Sequence, residues 1–530
     1  MNQRIRAIHP FLIALFPILL LYSRNLHSIV FAETLVPTAL ALTVTTAALA
    51  LFRGFRLDGP RSAMIVSTGL ILCFTFGHAV KLIGRLGIGS TRLERECLIL
   101  AVEALAMASV LAIIFWKPGV VRALTGFINA SSVALVAMSV IVVAKSGWEG
   151  PAARPPLVAD RPPAVVSPPK ERLPDVYFLM LDAYGRSDAL KQATGFDNSA
   201  FLDRLEQKGF FVARQSTANY CQTALALSAT LNLRYLDDMA GSESEDRLPL
   251  KRLIADAAVF RTFRRMNYRL VTFDSGFDAT ESVRGDLNLG PAWNFGTFPT
   301  MILDQTPIWF LLGARALHQP HRMHRERVLK VFAELPASSH PSDSPTFTFA
   351  HVLSPHPPFI FGADGRDVSE REGSYSLGDS EGWRNVRGHG DATDYVARYG
   401  SQVTYITSRV EEVVARILET SPVEPIIIIQ GDHGAGSHFE AGALEPNDLG
   451  ERMTVLNAIY LPRAYRGSID PGITPVNTFR LVFDRCFGSK LGLLADRNFY
   501  SAYQRPYVFT EVTGKIDAPV VEKLSGRIGD

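Results

Sequence analysis

The sequence predicts an α/β domain built on a mostly parallel central sheet with helices on both faces, preceded by an all-α bundle of about five membrane spans. Three observations predict it. Ile426-Ile427-Ile428-Ile429 is a run of β-branched apolar residues that cannot sit half-exposed, so it reads as a doubly covered strand. It ends in Gln430-Gly431-Asp432-His433-Gly434, and a second apolar run, Val176–Leu181, also ends in an acid, Asp182. Open α/β sheets place their sites at the carboxyl ends of such strands. The third observation is the chain before Lys145, where apolar stretches recur at the ~20 residues needed to cross a bilayer.

Those stretches run from about Pro10 to Tyr22, then Leu35–Phe52, Ser62–Val80, Cys97–Trp116 and Val120–Ala144. The basic leader holding Arg4 and Arg6 is followed by more apolar sequence and not by a cleavage site, so the first span reads as retained. If the N-terminus is cytoplasmic, the inner loops hold Arg4, Arg6, Arg53, Arg56, Arg61, Lys117 and Arg122. The outer loops then hold Arg24, Lys81, Arg85, Arg92 and Arg95, so the basic bias favours that orientation. With five spans, everything after Ala144 is then expected outside the cytoplasm, on the periplasmic face of an inner (plasma) membrane.

From Gly147 to Leu173 prolines alternate with Ala and Val, the composition of an extended linker with neither helix nor core. The expected organisation is a transmembrane domain over 1–146, a linker over 147–173 and a catalytic domain over 174–530. The formal net charge of +2 gives no bulk electrostatic reason to expect a nucleic-acid partner. Four cysteines, at 73, 97, 221 and 486, do not form a disulfide framework or a metal-type spacing. A Cys221–Cys486 bridge stays open.

Within the last domain, Val176–Leu181 is a strand, and Asp182 stands at its end before a Tyr-Gly-Arg turn and a helix. Asp182 therefore reads either as a metal ligand or as a helix N-cap. Farther along, the polar run Ser216–Tyr220 gives way to a small-residue helix beginning near Gln222 or Thr223. A hydroxyl there gains from the helix dipole, so Thr223 reads as a nucleophile or, again, as a cap. Thr346–Leu353 is another buried strand, and it leads into Ser354-Pro355-His356-Pro357-Pro358-Phe359, where prolines fix His356 in position. Residues from Tyr395 to Leu418 carry helical periodicity and form a covering helix whose apolar stripe is core. Leu456–Pro462 reads as a further strand, and Val476–Thr513 as mixed helix and loop. In Asp432-His433 a hard oxygen ligand stands beside a borderline nitrogen ligand, which suits a divalent cation such as Zn²⁺ or Mn²⁺.

With Asp182, Thr223, His356, Asp432 and His433 in this order on these elements, the chain resembles the alkaline phosphatase superfamily, in its sulfatase-like branch, over roughly 174–465. The layout is similar to that of lipoteichoic acid synthases and related phosphoglycerol or phosphoethanolamine transferases. The resemblance implies metal ligation by Asp182, Asp432 and His433, a threonine nucleophile at Thr223 that also touches the metal, and substrate contact by His356. Asn232, nine residues after Thr223, fits the synthase pattern, and Ser228 fits the phosphoethanolamine transferases. Sulfatases instead convert a cysteine within Cys-x-Pro-Ser-Arg, and here Cys221 is followed by Gln222-Thr223-Ala224-Leu225, with neither proline nor arginine. One ion is expected, although Asp274 and His438 could build a second site, and His438 could otherwise contact substrate.

The resemblance implies transfer of a phospho-head group from a phospholipid or other phospho- or sulfo-ester to an envelope glycan or lipid, through a phospho-threonine. The bilayer itself would be a partner. Two readings stand beside it: a phosphate- or sulfate-ester hydrolase of the same superfamily, and a catalytically degenerate binding protein anchored in the membrane.

Overall fold

Apolar runs bounded by Arg, Asp, Gly and Pro become the helices α1 (His9–Arg24), α2 (Leu35–Gly54), α3 (Gly59–Arg85), α4 (Arg92–Trp116) and α5 (Pro118–Trp148) in the computed structural model. It describes residues 6–26, 29–89, 92–148, 173–291, 296–312, 319–339, 344–372, 375–385, 390–445 and 447–516, so most of the proline-rich linker lies outside the described residues. Four helices among the described residues are long and apolar enough to cross a membrane: Phe31–Gly54, Gly59–Gly84, Leu93–Trp116 and Gly119–Lys145. The fifth expected span, α1, is apolar but has only 16 residues, and Pro17 interrupts its hydrogen-bond ladder. Its first turn is closed from α5, where Asn129 Oδ1 accepts from the amides of Ile8 and His9. Leu40, Leu105 and Phe127 project from α2, α4 and α5 with 61%, 70% and 69% of their surface uncovered. Apolar side chains outward and backbone bonds closed within helices are what a lipid solvent demands.

The chain divides into two compact units, Met1–Ala153 with Phe295–Gln319, and Arg154–Asn294 with Pro320–Asp530. In the second, a seven-stranded sheet is formed by β1 (Val176–Leu181), β2 (Phe210–Val212), β3 (Arg269–Phe273), β4 (Leu287–Leu289), β5 (Thr346–Val352), β6 (Ile426–Gly431) and β7 (Asn457–Tyr460). Their order across the sheet is β2-β7-β6-β1-β5-β3-β4, and β7 alone runs opposite to the other six. The expected mostly parallel sheet is observed, and β1, β5 and β6 at its centre are buried along their whole length.

Strand alternation divides the core in two. Tyr177, Leu179, Ile427 and Ile429 face the helix Ala392–Thr420, which buries Tyr395, Tyr399, Val403, Ile406 and Val410 as its periodicity predicts. Val176, Phe178, Ile426 and Ile428 face the opposite way, onto Phe263, Phe479 and Phe483. Two-sided burial explains why these strands read as continuous apolar runs and not as alternating ones.

The loop after β5 is held from two helices. Gln402, fully buried, accepts from the amides of Ile360 and Phe361 and donates to the carbonyls of Pro355 and His356. His324, on the helix Gln319–Glu334, donates from Nε2 to Leu353 O at 3.1 Å. Burial, aided by the nearby Arg327 charge, pushes the His324 imidazole down to about 3. In the unfolded chain it would titrate near 6.5, so below that pH the unfolded state binds a proton that the folded state refuses. Its stabilising contribution is therefore complete above about pH 6.5 and is lost as the pH falls toward 3, by roughly 2 kcal/mol at pH 5. The thermal midpoint of the detergent-solubilised chain should fall between pH 7 and pH 5, and His324→Gln, which keeps a donor but cannot titrate, should show a smaller fall. Equal falls in both proteins would refute this account.

Candidate active site

Register brings the site together. β1 and β6 pair in parallel with Leu181 opposite Gly431, so the next residues, Asp182 and Asp432, leave the sheet side by side at its carboxyl edge. Both are buried, at 2% and 0% exposure. Ala183, at φ 63°, turns the chain sharply after Asp182, and its amide donates to Asp432 Oδ1 at 3.0 Å. Tyr399 holds the same turn by donating to Ala183 O.

His433 is the hub. Its Nδ1–H donates to Gly434 O at 2.9 Å, which leaves the Nε2 lone pair facing inward. Around Nε2 stand Thr223 Oγ1 at 3.1 Å, Asp432 Oδ2 at 3.4 Å and Asp182 Oδ1 at 3.6 Å. Burial and the Arg452 charge depress the His433 pKa against the pull of the Asp432, Asp182 and Asp379 carboxylates, so the ring is neutral and fit to ligate. Asp182 Oδ1 and Asp432 Oδ2 are buried and have no hydrogen-bond partner. Orphan carboxylate oxygens at this depth are costly unless a cation meets them. Asp182, Asp432 and His433 form the one group of potential metal ligands among the described residues, with ligand atoms within 4.8 Å of one another. The residues present fit a divalent ion.

Thr223 is the first residue of the helix Thr223–Asn232, and it stays partly exposed while its neighbours Gln222, Ala224 and Leu225 are buried. Gln222 pins that helix end by donating to Ser501 O and Ser501 Oγ. His356 lies close by, its ring centroid 6.3 Å from that of His433. Its Nδ1–H donates to Pro357 O, and Nε2 stands 4.0 Å from Asp379 Oδ2. Burial opposes a charge on this ring, but Asp182 and Asp379 outweigh it and raise the His356 pKa. Burial likewise works against the Asp182 carboxylate, yet His356, His351 and His433 hold its pKa well below the usual range.

Sequence reading missed three residues here. Arg452, on the short helix Leu449–Met453, is 5% exposed and reaches His433 Nε2 at 3.2 Å and Cys221 O at 3.0 Å. Its other arm pairs with Asp379, which also accepts from Tyr395 Oη at 2.6 Å. Burial works against a charge on Asp379, but Arg452 foremost holds it at about 2. His351 on β5 approaches Asp182 Oδ2 at 3.3 Å, its other nitrogen bonded to Thr280 Oγ1. No local motif marks these three; only His351, in a buried strand, offered a signal, as a polar residue where an apolar one belongs.

Other candidates stand apart. Asn232 sits nine residues beyond Thr223, about 14 Å along the helix. Its amide donates to Ser228 O and Leu253 O and accepts from Ala258 N, closing the far end of that helix. His438 is exposed and bonded to Ser437 Oγ, and neither it nor Asp274 joins the ligand group. Cys221 and Cys486 are both free and buried. Burial raises the Cys221 thiol, and its sulfur lies 3.5 Å from Ser501 O and Ser501 N, turned into the core.

Two glycines make room for this arrangement. A Cβ on Gly434 would stand 2.0 Å from Glu451 O, and one on Gly431 would stand 2.4 Å from Tyr184 O. Gly434→Ala must displace either His433 or the Arg452 helix, so it should abolish Zn²⁺ or Mn²⁺ retention on dialysis while far-UV circular dichroism keeps its shape. Undiminished metal retention would contradict the packing described.

No curated protein matches this chain. Among solved structures it is similar to lipooligosaccharide phosphoethanolamine transferase A of Neisseria meningitidis, at 13% identity and TM-score 0.42, over 74% of this chain and 69% of that one. It is also similar to the C-terminal periplasmic domain of EptC from Escherichia coli in complex with Zn, at 11% identity and TM-score 0.44, over 67% and 97%. A third is the lipoteichoic acid synthase LtaP of Listeria monocytogenes, at 13% identity and TM-score 0.37, over 65% and 82%. The sulfatase family model matches residues 174–454, just over half of the chain, and with the apolar helices it marks a membrane-anchored protein with a soluble catalytic domain. The chain belongs to the sulfatase family, within the alkaline phosphatase superfamily, and is an enzyme acting on phosphate or sulfate esters.

Proposed function

We propose that this enzyme transfers a phospho-head group, of the phosphoglycerol or phosphoethanolamine type, to an envelope glycan or lipid through a phospho-threonine at Thr223. The supporting observation is the approach of Thr223 Oγ1 to His433 Nε2 beside two buried, unpartnered carboxylate oxygens. One Mn²⁺ or Zn²⁺, held by Asp182, Asp432, His433 and Thr223, would act there as a Lewis acid and favour the alkoxide form of a neighbouring hydroxyl.

In this reading Thr223 Oγ supplies the electron pair that forms the new O–P bond, while the bond from phosphorus to the departing alcohol breaks. His356, with Nδ1 committed to Pro357, has Nε2 left to protonate the departing oxygen. The Arg452 guanidinium, oriented by Asp379, offers donors to the non-bridging oxygens whose charge grows in the transition state. An acceptor hydroxyl then attacks the same phosphorus, returns its proton through His356 and releases Thr223. With water as acceptor the same residues would make a hydrolase. The Cys221 side chain, buried and turned toward Ser501, argues against a cysteine-derived nucleophile.

A catalytic domain over 174–530, a linker over 147–173 and a multi-pass anchor over 1–146 complete the proposal. The basic-loop bias supports a catalytic domain outside the cytoplasm. A membrane anchor suits a lipid donor, since it keeps the enzyme at the surface where that donor lies.

Intact mass of the purified chain after incubation with mixed phospholipid vesicles and Mn²⁺ or Zn²⁺ tests the nucleophile. An adduct is expected in the wild type and absent in Thr223→Ala, and its mass identifies the transferred group. Equal turnover by Thr223→Ala would refute the covalent route. Arg452→Lys keeps the charge but loses the planar fork, so kcat/KM should fall on the order of 10² with the adduct still forming. An unchanged kcat/KM would remove Arg452 from the reaction.

A further inference from the structure

The segment Phe295–Gln319 belongs to the membrane unit, although the chain on either side of it belongs to the catalytic unit. The chain therefore passes between the units three times, before Arg154, after Asn294 and before Pro320. Within the described part, Gly296–Leu312, two short helices form, Thr297–Leu303 and Ile308–Leu311.

The first helix inserts Phe298, fully buried, and Ile302 against Ile18 and Tyr22 of α1 and against Ile29. Tyr22 and Phe298 meet edge to face at 6.5 Å. The turn between the helices lies against α3, where Gly77 N donates to Gln305 O at 2.9 Å. That approach needs a glycine: a Cβ on Gly77 would stand 2.2 Å from Asp304 O. Gly77 is eight residues before Arg85, the end of α3, so the contact lies about 12 Å along the helix from its end. The hydrocarbon core is about 30 Å thick, so backbone at that distance along a spanning helix is below the headgroups.

Backbone at such depth is tolerated where protein covers it and its polar groups close internally. Thr300 Oγ1 donates to Gly296 O, Thr306 Oγ1 to Leu303 O, and Trp309 Nε1 to Asp304 Oδ1 at 2.8 Å. Asp304 is the sole charged residue of Gly296–Leu312. Beyond Trp309, which is 4% exposed, Leu311 and Leu312 stand open at 67% and 63%.

We propose that Gly296–Leu312 is a re-entrant segment of the membrane domain, and that Leu311 and Leu312 meet the acyl chains of bilayer lipid. The occupant is lipid because the open leucines continue a unit from which Leu40 of α2, Leu105 of α4 and Phe127 of α5 also project uncovered. The one charge in the segment, Asp304, is turned to its own Trp309 Nε1. The inference rests on reading the apolar helices as membrane spans.

The test places p-benzoylphenylalanine at Leu311 in the full chain, reconstituted in vesicles of phosphatidylethanolamine and phosphatidylglycerol, with illumination and intact-mass analysis. Leu311 is mostly uncovered, so the probe displaces no core. The same probe at Ile141 of α5, 64% exposed, reports on the membrane reading, and at Tyr503, 57% exposed in the catalytic unit, on background. Adducts of one phospholipid mass are expected at Leu311 and Ile141 and none at Tyr503. Adducts at Ile141 alone would overturn the re-entrant segment and leave the membrane reading standing. Failure at both would overturn both. A crosslink from Leu311 to a second copy of the chain, or lipid adducts equally at Tyr503, would also overturn it.

Discussion

Two carboxylates buried side by side impose the constraint that organises the catalytic domain. Parallel pairing of β1 with β6 fixes Asp182 beside Asp432, where neither is reached by bulk water. Like charges at that spacing repel, and burying both is costly unless something cationic stands near. The surrounding residues answer that demand. Arg452 supplies the permanent positive charge, behind the neutral His433 ring that stands between the two acids, and His351 packs against Asp182 from β5. Arg452 in turn requires its own counter-ion, and Asp379 supplies it with help from Tyr395. The second layer of the site follows from the first by charge balance.

This explains which parts were legible from residues alone. Ile426–Ile429 could be read because two-sided burial leaves a local mark, and Asp432-His433 because metal chemistry selects residue types at adjacent positions. Thr223 was visible as a hydroxyl at a helix start. Arg452 and Asp379 carry no such mark, because their roles arise where a loop meets a short helix distant in sequence. Asp379 comes from an irregular stretch, and Arg452 lies 19 residues beyond His433 on a helix of five residues. Asn232 came from the resemblance, and nine residues of helix set it about 14 Å along the axis from Thr223. His438 follows His433 closely, yet the chain has already turned outward there.

The membrane part was legible for a coarser reason, since length and hydropathy suffice to mark a spanning helix. They failed at both margins. The helix α1 has the composition of a span but not its length, and Gly296–Leu312 splits its apolar residues between two helices too short to register. What betrays that segment is Gly77, whose missing side chain has no meaning until the facing backbone is in place.

The two thiols of the catalytic domain carry a last consequence. Cys221 and Cys486 are unbridged and sealed in separate parts of the core, and burial pushes the Cys486 thiol up to about 12. Sulfurs so protected hold almost no thiolate, the form that exchanges with other disulfides. The folded catalytic domain therefore presents neither of these thiols at its surface to an oxidant or a disulfide partner.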